Sequence, residues 1–211
     1  ESKKHNFRAS FQTGFRNPTT QDQYIGFNVG NAVLIGSAPE NLDRYSETLP
    51  VNTAAGQLFA GGTSSVMTGQ NAYYNSYTAQ SVTAFAALAG TNPVAAAALL
   101  KKTNVGLVKP ETVKAVELGY RGQYKGFSYD LNGYYNIYND FIGNLTVVAP
   151  LYGKAQDAPS LTAGPTDLGF QSVHAISNGN TRAYQLYTNT EGERKALGFG
   201  YGVSKKVYKN F

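Results

Sequence analysis

The 211-residue sequence has no cysteine, a single methionine and no long uninterrupted apolar run. Without cysteine, a disulfide framework, a thiolate metal site and a thiolate nucleophile are all excluded. The mean hydropathy of −0.32 and the lack of an apolar run argue against a transmembrane helix. Only two histidines occur, His5 and His174, and no His, Asp and Glu grouping has metal-ligand spacing. We therefore expect neither an enzyme active site nor a metal or other cofactor.

Charge is also modest, with a formal net charge of +5. The lysines and arginines are scattered along the chain and form no basic stripe interleaved with exposed aromatic residues. We therefore expect no nucleic-acid partner.

What the chain does have is 16 tyrosines, 11 phenylalanines and 23 glycines, and two neighbouring segments in which apolar and polar residues alternate. The segments are residues 116–124 and 127–137, separated by Lys125 and Gly126. Their apolar face carries Val116, Leu118, Tyr120, Tyr124, Phe127, Tyr129, Leu131, Tyr135 and Ile137. Period two on both sides of a two-residue turn predicts an antiparallel hairpin. Each segment has about the 9–11 residues that a tilted strand needs to cross a bilayer.

Two further segments show the same alternation. We predict a strand over residues 6–16 and one long strand over residues 182–204, bulged near Gly192. The fold class expected from these strands is all-β: an antiparallel transmembrane β-barrel segment in which residues 1–211 belong to one barrel domain. Residues 17–109 and 143–180 are then long extracellular loops, with short helices over residues 79–89 and 93–102.

Loop lengths orient this barrel segment, because bacterial barrels carry short turns on the periplasmic side and long loops outside. The Lys125-Gly126 turn and a turn over residues 205–210 should be periplasmic. The repeated glycines Gly198, Gly200 and Gly202 should lie on the lumen side, where they leave room for another domain to approach.

Two motifs resemble TonB-dependent outer-membrane receptors. One is residues 7–20 followed by Gln23-Tyr24, and the other is residues 108–111 leading into residues 117–120. In this order, each beside its strand, they resemble the middle and late barrel of that family, and the resemblance covers most strand-forming sequence but not the loops. It implies a 22-strand barrel around an N-terminal plug, and we expect these 211 residues to hold part of that barrel without the plug. The long insertion over residues 26–108 is similar to the large-loop nutrient receptors that work with a surface lipoprotein lid.

The resemblance implies an outer-membrane receptor that imports an oligosaccharide, a peptide or a metal chelate, energised by the TonB complex through an N-terminal region outside this sequence. Candidate ligand-binding residues are Tyr73, Tyr74 and Tyr77, although ordinary loop packing explains them as well. Candidate plug-facing residues are Arg8, Arg16, Glu117 and Arg121, for which a solvated interior is the alternative. The competing functions are a passive porin or adhesin barrel in the same membrane and a soluble β-sandwich binding module.

Overall fold

The computed structural model describes residues 5–205. Its strands are β1 (His5–Arg16), β2 (Gly26–Asn28), β3 (Val33–Ile35), β4 (Ser46–Pro50), β5 (Ser64–Thr68), β6 (Tyr77–Thr78), β7 (Glu111–Tyr124), β8 (Phe127–Asn139), β9 (Ile142–Pro150), β10 (Thr181–Asn189) and β11 (Arg194–Lys205). Its helices are α1 (Thr20–Tyr24), α2 (Pro39–Arg44), α3 (Ala54–Ala60), α4 (Gly69–Tyr74), α5 (Ala79–Ala89), α6 (Pro93–Ala97) and α7 (Leu168–Ser177). Within residues 5–205, no helix has both the length and the apolar character to cross a membrane.

Over residues 5–205 the fold is mixed α/β, with 25% helix, 44% strand and three open sheets. The expected all-β fold, an antiparallel transmembrane β-barrel segment with long loops, is therefore wrong. The physical reason lies in residues 17–109 and 143–180, which fold with strands and helices of their own instead of forming irregular connections. One of their strand pairs, β3 with β10, is even parallel.

The chain divides into two compact units. We call residues 5–17, 109–141 and 190–205 the sheet unit, and residues 18–108 and 142–189 the α/β unit. The sheet unit contains one four-stranded sheet in the order β1-β7-β8-β11, and every pair in it is antiparallel.

The predicted hairpin is confirmed in the sheet unit, where β7 and β8 pair from Thr112 opposite Asn139 to Tyr124 opposite Phe127. The turn residues Lys125 and Gly126 both have positive φ, at 47° and 81°. Two positive φ angles in a two-residue turn match the right-handed twist of the flanking strands. The predicted first strand is also confirmed, as β1.

The predicted single strand over residues 182–204 is wrong, because this segment forms two strands in different sheets. β10 ends at Asn189 and pairs with β9 and β3, whereas β11 begins at Arg194 and pairs with β8. Between them Gly192 has a φ of 81°, a backbone conformation that breaks an extended strand. Of the predicted turn over residues 205–210, only Lys205 is described, as the last residue of β11, and the rest lies outside the described residues.

The α/β unit is built on a five-stranded sheet in the order β2-β3-β10-β9-β6, with β4 and β5 forming a separate two-stranded sheet. One apolar cluster centres on the middle strands and includes Val33, Ile35, Val147, Tyr184 and Leu186. A second cluster joins α5, α6 and α7. Both clusters consist of buried side chains, so this unit has a core of its own.

Helix starts in the α/β unit follow local capping chemistry. The Asn92 side chain accepts a hydrogen bond from the Ala95 N–H at 3.0 Å, and Pro93 occupies the first helical position. The predicted start of this helix is confirmed, but α6 ends at Ala97 and does not reach residue 102. The helix predicted over residues 79–89 is confirmed as α5, which is capped by Thr78.

Candidate membrane interface

Period two and the strand register collect the apolar side chains of the sheet unit on one face. Phe11, Val116, Tyr135 and Leu197 form one cross-strand row, and Phe7, Tyr120, Leu131 and Tyr201 form another. A third row lies between them and consists of Ala9, Leu118, Gly133 and Phe199, and beyond the rows lie Tyr129 and Val203. We call this whole set of side chains the apolar face. Several of its large side chains are exposed, with Phe7 at 79%, Phe199 at 72% and Tyr201 at 78%. Soluble proteins rarely expose a contiguous apolar surface of this kind, so the face is suited to an apolar environment.

Lysines bound the apolar face at both ends. Lys114 and Lys195 both pair with Ile137 and so share a row at one end, while Lys205 pairs with Phe127 at the other. Lys195 and Lys205 are ten positions apart along β11 (205 minus 195), which is about 33 Å at ~3.3 Å per residue. For a strand tilted by ~40°, this spacing corresponds to roughly 25 Å along the membrane normal, the height of a typical outer-membrane apolar band. The spacing of the charges therefore matches the thickness of a hydrocarbon layer.

The opposite face of the same sheet is polar and carries ion pairs. Asp130 lies 2.8 Å from the Arg121 guanidinium and 3.8 Å from that of Arg8. Arg16 lies 3.0 Å from Glu111. The four candidate plug-facing residues, Arg8, Arg16, Glu117 and Arg121, all lie on this face by register. Their contact with a plug stays a prediction.

Glycines on the polar face accommodate side chains of the same sheet. A Cβ added at Gly198 would overlap the ring of Tyr134 on β8. At Gly119 it would overlap the side chain of Arg8 on β1. The space beside these two glycines is therefore occupied by neighbouring strands, which accounts for them without an approaching domain.

The three candidate ligand-binding tyrosines lie in the α/β unit in different surroundings. Tyr73 is fully buried, and its hydroxyl contacts the backbone oxygens of Ile35 and Tyr187 at 3.2 and 2.8 Å. Tyr77 is also fully buried and pairs with the Ser172 hydroxyl at 2.6 Å. Burial raises the pKa of both tyrosines. Their rings have no exposed face for a ligand in this structure, whereas the Tyr74 ring is half exposed.

A mostly buried ion pair links β4 to β10 in the α/β unit. Arg182 Nε lies 2.9 Å from Glu47 Oε1, and the Tyr184 hydroxyl donates to the same oxygen at 3.2 Å. Burial, followed by the nearby Glu47 carboxylate, raises the pKa of Tyr45 to about 12. The extra hydrogen bond helps to offset the desolvation of the charges, so we assign this group a structural role.

Sequence reasoning missed the lysine boundaries, because they become visible only once the register aligns Lys114 with Lys195. Alternation alone gives each strand its apolar side, but not the position of one strand along another. Among residues 5–205, no group of three or more His, Cys, Asp or Glu side chains is placed to hold a metal ion.

No protein-family model, curated protein sequence or solved structure matches this chain. The resemblance to TonB-dependent receptors therefore remains a prediction from the sequence motifs.

Proposed function

We propose that this chain is part of an outer-membrane receptor that imports a nutrient by active transport, energised through the TonB complex. The observation that carries the proposal is the apolar face of the sheet unit, bounded by Lys114 and Lys195 at one end and Lys205 at the other. The resemblance of residues 7–20 and 108–111 to TonB-dependent receptors supplies the receptor class.

Lipid accounts for the apolar face better than a second protein does. A protein partner could cover large apolar side chains, but it gives no reason for lysines at a spacing near that of a membrane. Lysine can bury its aliphatic stem along apolar surface and place its ammonium among headgroups. Lys205 already lies over the Phe127 ring, with its Nζ 4.8 Å from the ring centroid.

The two edge strands of the sheet unit carry backbone groups that a membrane would leave without water. β1 and β11 are its edge strands, and unpaired backbone groups cost several kcal/mol each in hydrocarbon. In a membrane the backbone groups of both edges would therefore need hydrogen-bond partners. The polar face, with its Arg8, Arg121 and Asp130 charges, would face water.

The α/β unit has a core of its own, and we assign it to the cell surface, where it would meet the nutrient or a surface lipoprotein lid. Oligosaccharides, peptides and metal chelates are the nutrient classes considered. A passive porin or adhesin would share the membrane face, and the two sequence motifs favour the receptor over both.

A pair of neighbouring substitutions tests the membrane face. Leu118 lies on the apolar face between the lysine rows. In the complete receptor folded in lipid vesicles, Leu118→Arg should therefore reduce the stability by roughly 2–4 kcal/mol. Glu117→Gln, on the polar face of the same strand, is the matched control and should be nearly neutral. Equal tolerance of the two changes in a vesicle folding assay would rule out lipid contact at this face.

Active transport is tested separately in cells that produce the complete receptor. Uptake of the three nutrient classes is compared with and without a functional TonB. We expect uptake of one class to be lost without TonB. Uptake that is independent of TonB would identify a passive pore instead.

A further inference from the structure

A cleft in the α/β unit lies between α5, the start of α6 and α7. It has a volume of about 520 Å³, and its walls are mainly apolar side chains, including Val82, Phe85, Ala89, Phe170, Val173 and Ile176. His174 and Ser177 are the polar residues in its lining. This volume is within the range of small-molecule sites, which combine apolar walls with a few polar groups that orient the ligand.

A chain of hydrogen bonds runs from Asn52 to the His174 ring. The Asn52 backbone N–H donates to Asn180 Oδ1 at 2.8 Å, which orients the buried Asn180 amide. Asn180 Nδ2 then donates to the Tyr152 hydroxyl at 3.2 Å. The Tyr152 hydroxyl lies 2.8 Å from His174 Nδ1. The Tyr152 oxygen accepts from Asn180, and its own hydrogen can be donated to Nδ1 when that nitrogen carries no proton.

The contact with Tyr152 bears on which nitrogen of His174 can donate a hydrogen bond into the cleft. In a neutral imidazole, one nitrogen accepts and the other donates. In the neutral tautomer whose Nδ1 accepts from Tyr152, the proton resides on Nε2, which can then donate to a ligand. Edge contact with the Phe59 ring, at a centroid distance of 5.2 Å, further restricts the imidazole.

We propose that this cleft binds a small aromatic molecule that carries a hydrogen-bond acceptor such as a carboxylate. The half-buried Phe170 ring offers an aromatic contact to the ligand body, and the nearly buried Phe85 forms part of the apolar wall. His174 Nε2–H and the Ser177 hydroxyl donate to the acceptor at the open side of the cleft, where Ser177 is exposed. Binding here does not depend on transport, because the cleft and its hydrogen-bond chain lie wholly within the α/β unit.

The test measures binding of two probes to the full chain by titration calorimetry. 2-Naphthoate and 2-naphthylmethylammonium share an aromatic body, but only the carboxylate is an acceptor. We expect 2-naphthoate to bind at least about tenfold more tightly, the effect of one hydrogen bond to a charged group. Equal affinities, or no binding of 2-naphthoate at millimolar concentration, would overturn the proposal.

Substitutions locate the site. Ala86 is exposed on α5 and lines the cleft, so Ala86→Trp should fill the cleft and abolish binding. Ala87→Trp is the matched control, because Ala87 is an exposed neighbour outside the lining and should leave binding unchanged. His174→Phe keeps the aromatic ring but removes the donor, and it should remove the preference for 2-naphthoate. Binding that survives Ala86→Trp, or a preference that survives His174→Phe, would contradict the assignment.

Discussion

The two units of this chain place large apolar side chains in opposite surroundings. In the sheet unit, Phe7, Phe199 and Tyr201 are exposed on a face that nothing within residues 5–205 of that unit covers. In the α/β unit, Tyr73 and Tyr184 are fully buried. The difference teaches that the α/β unit is stabilised by its own packing, whereas the sheet unit is held by its strand ladder and leaves its apolar face uncovered within residues 5–205.

The largest expected effect tests the core of the α/β unit. Tyr73→Ala should lower the free energy of unfolding of this unit by roughly 3–5 kcal/mol, because it leaves a cavity and removes a buried hydroxyl from its partners. Tyr74→Ala, at the half-exposed neighbour, is the control and should cost about 1 kcal/mol or less. Hydrogen exchange measured peptide by peptide separates the two units. Equal costs for both substitutions would show that the burial of Tyr73 does not stabilise the α/β unit.

Alkaline pH should weaken the α/β unit through its tyrosines. Burial and Glu47 raise the pKa of Tyr45 from 10.0 to about 12, and burial also raises the pKa of Tyr184. Since the folded pKa of Tyr45 exceeds the unfolded one, its contribution to stability is complete below pH 10 and is lost as pH rises toward 12.

The measurement is the free energy of unfolding of the α/β unit as a function of pH. Tyr45→Phe should flatten the decline between pH 10 and 12 relative to the unmodified chain. An unchanged slope would mean that Tyr45 ionises equally in the folded and unfolded chains.

The smallest expected effect compares one glycine from each unit. Gly126→Ala should cost about 1 kcal/mol, because φ at Gly126 is 81° and an added Cβ would meet no neighbour within 4 Å, so the cost is conformational. Gly90→Ala has the same open space but a φ of −70°, and it should stabilise the chain by roughly 0.4–1 kcal/mol. Denaturant midpoints check the opposite signs. A shift in the same direction for both would show that φ does not decide these positions.

Local patterns sufficed for parts of the fold that depend on nearby residues. The hairpin followed from period two and from the two residues between its strands, and α5 and the start of α6 followed from composition and capping. The parallel pairing of β3 with β10 could not be predicted, because Val33–Ile35 is too short to show a period and its partner Tyr184–Leu186 is remote in sequence. The single strand predicted over residues 182–204 is wrong for a related reason, because the residues before and after Gly192 both look extended in the sequence.

The positions of the candidate site residues could likewise be predicted only in part from the sequence. Alternation placed Arg8, Arg16, Glu117 and Arg121 on one face of the sheet, as the register has them. It could not show that Tyr73 is buried, because its hydroxyl partners lie 38 and 114 positions away. Nor could it show the cleft beside His174, which depends on how α5 and α7 pack.

The packing of Tyr134 over Gly198 bears on how β11 could slip along β8. A shift that set Tyr134 opposite Ala196 would drive its ring into a methyl group, but the opposite two-residue shift would set it over Gly200, which also has no side chain. Both shifts keep the apolar side chains on their own face, since side chains alternate with period two. The alternating glycines Gly198 and Gly200 therefore leave a shift of β11 along β8 blocked in one direction only. In the other direction the correct alignment depends on the ends of the strand, where a shift would move Lys195 and Lys205 relative to the apolar rows between them.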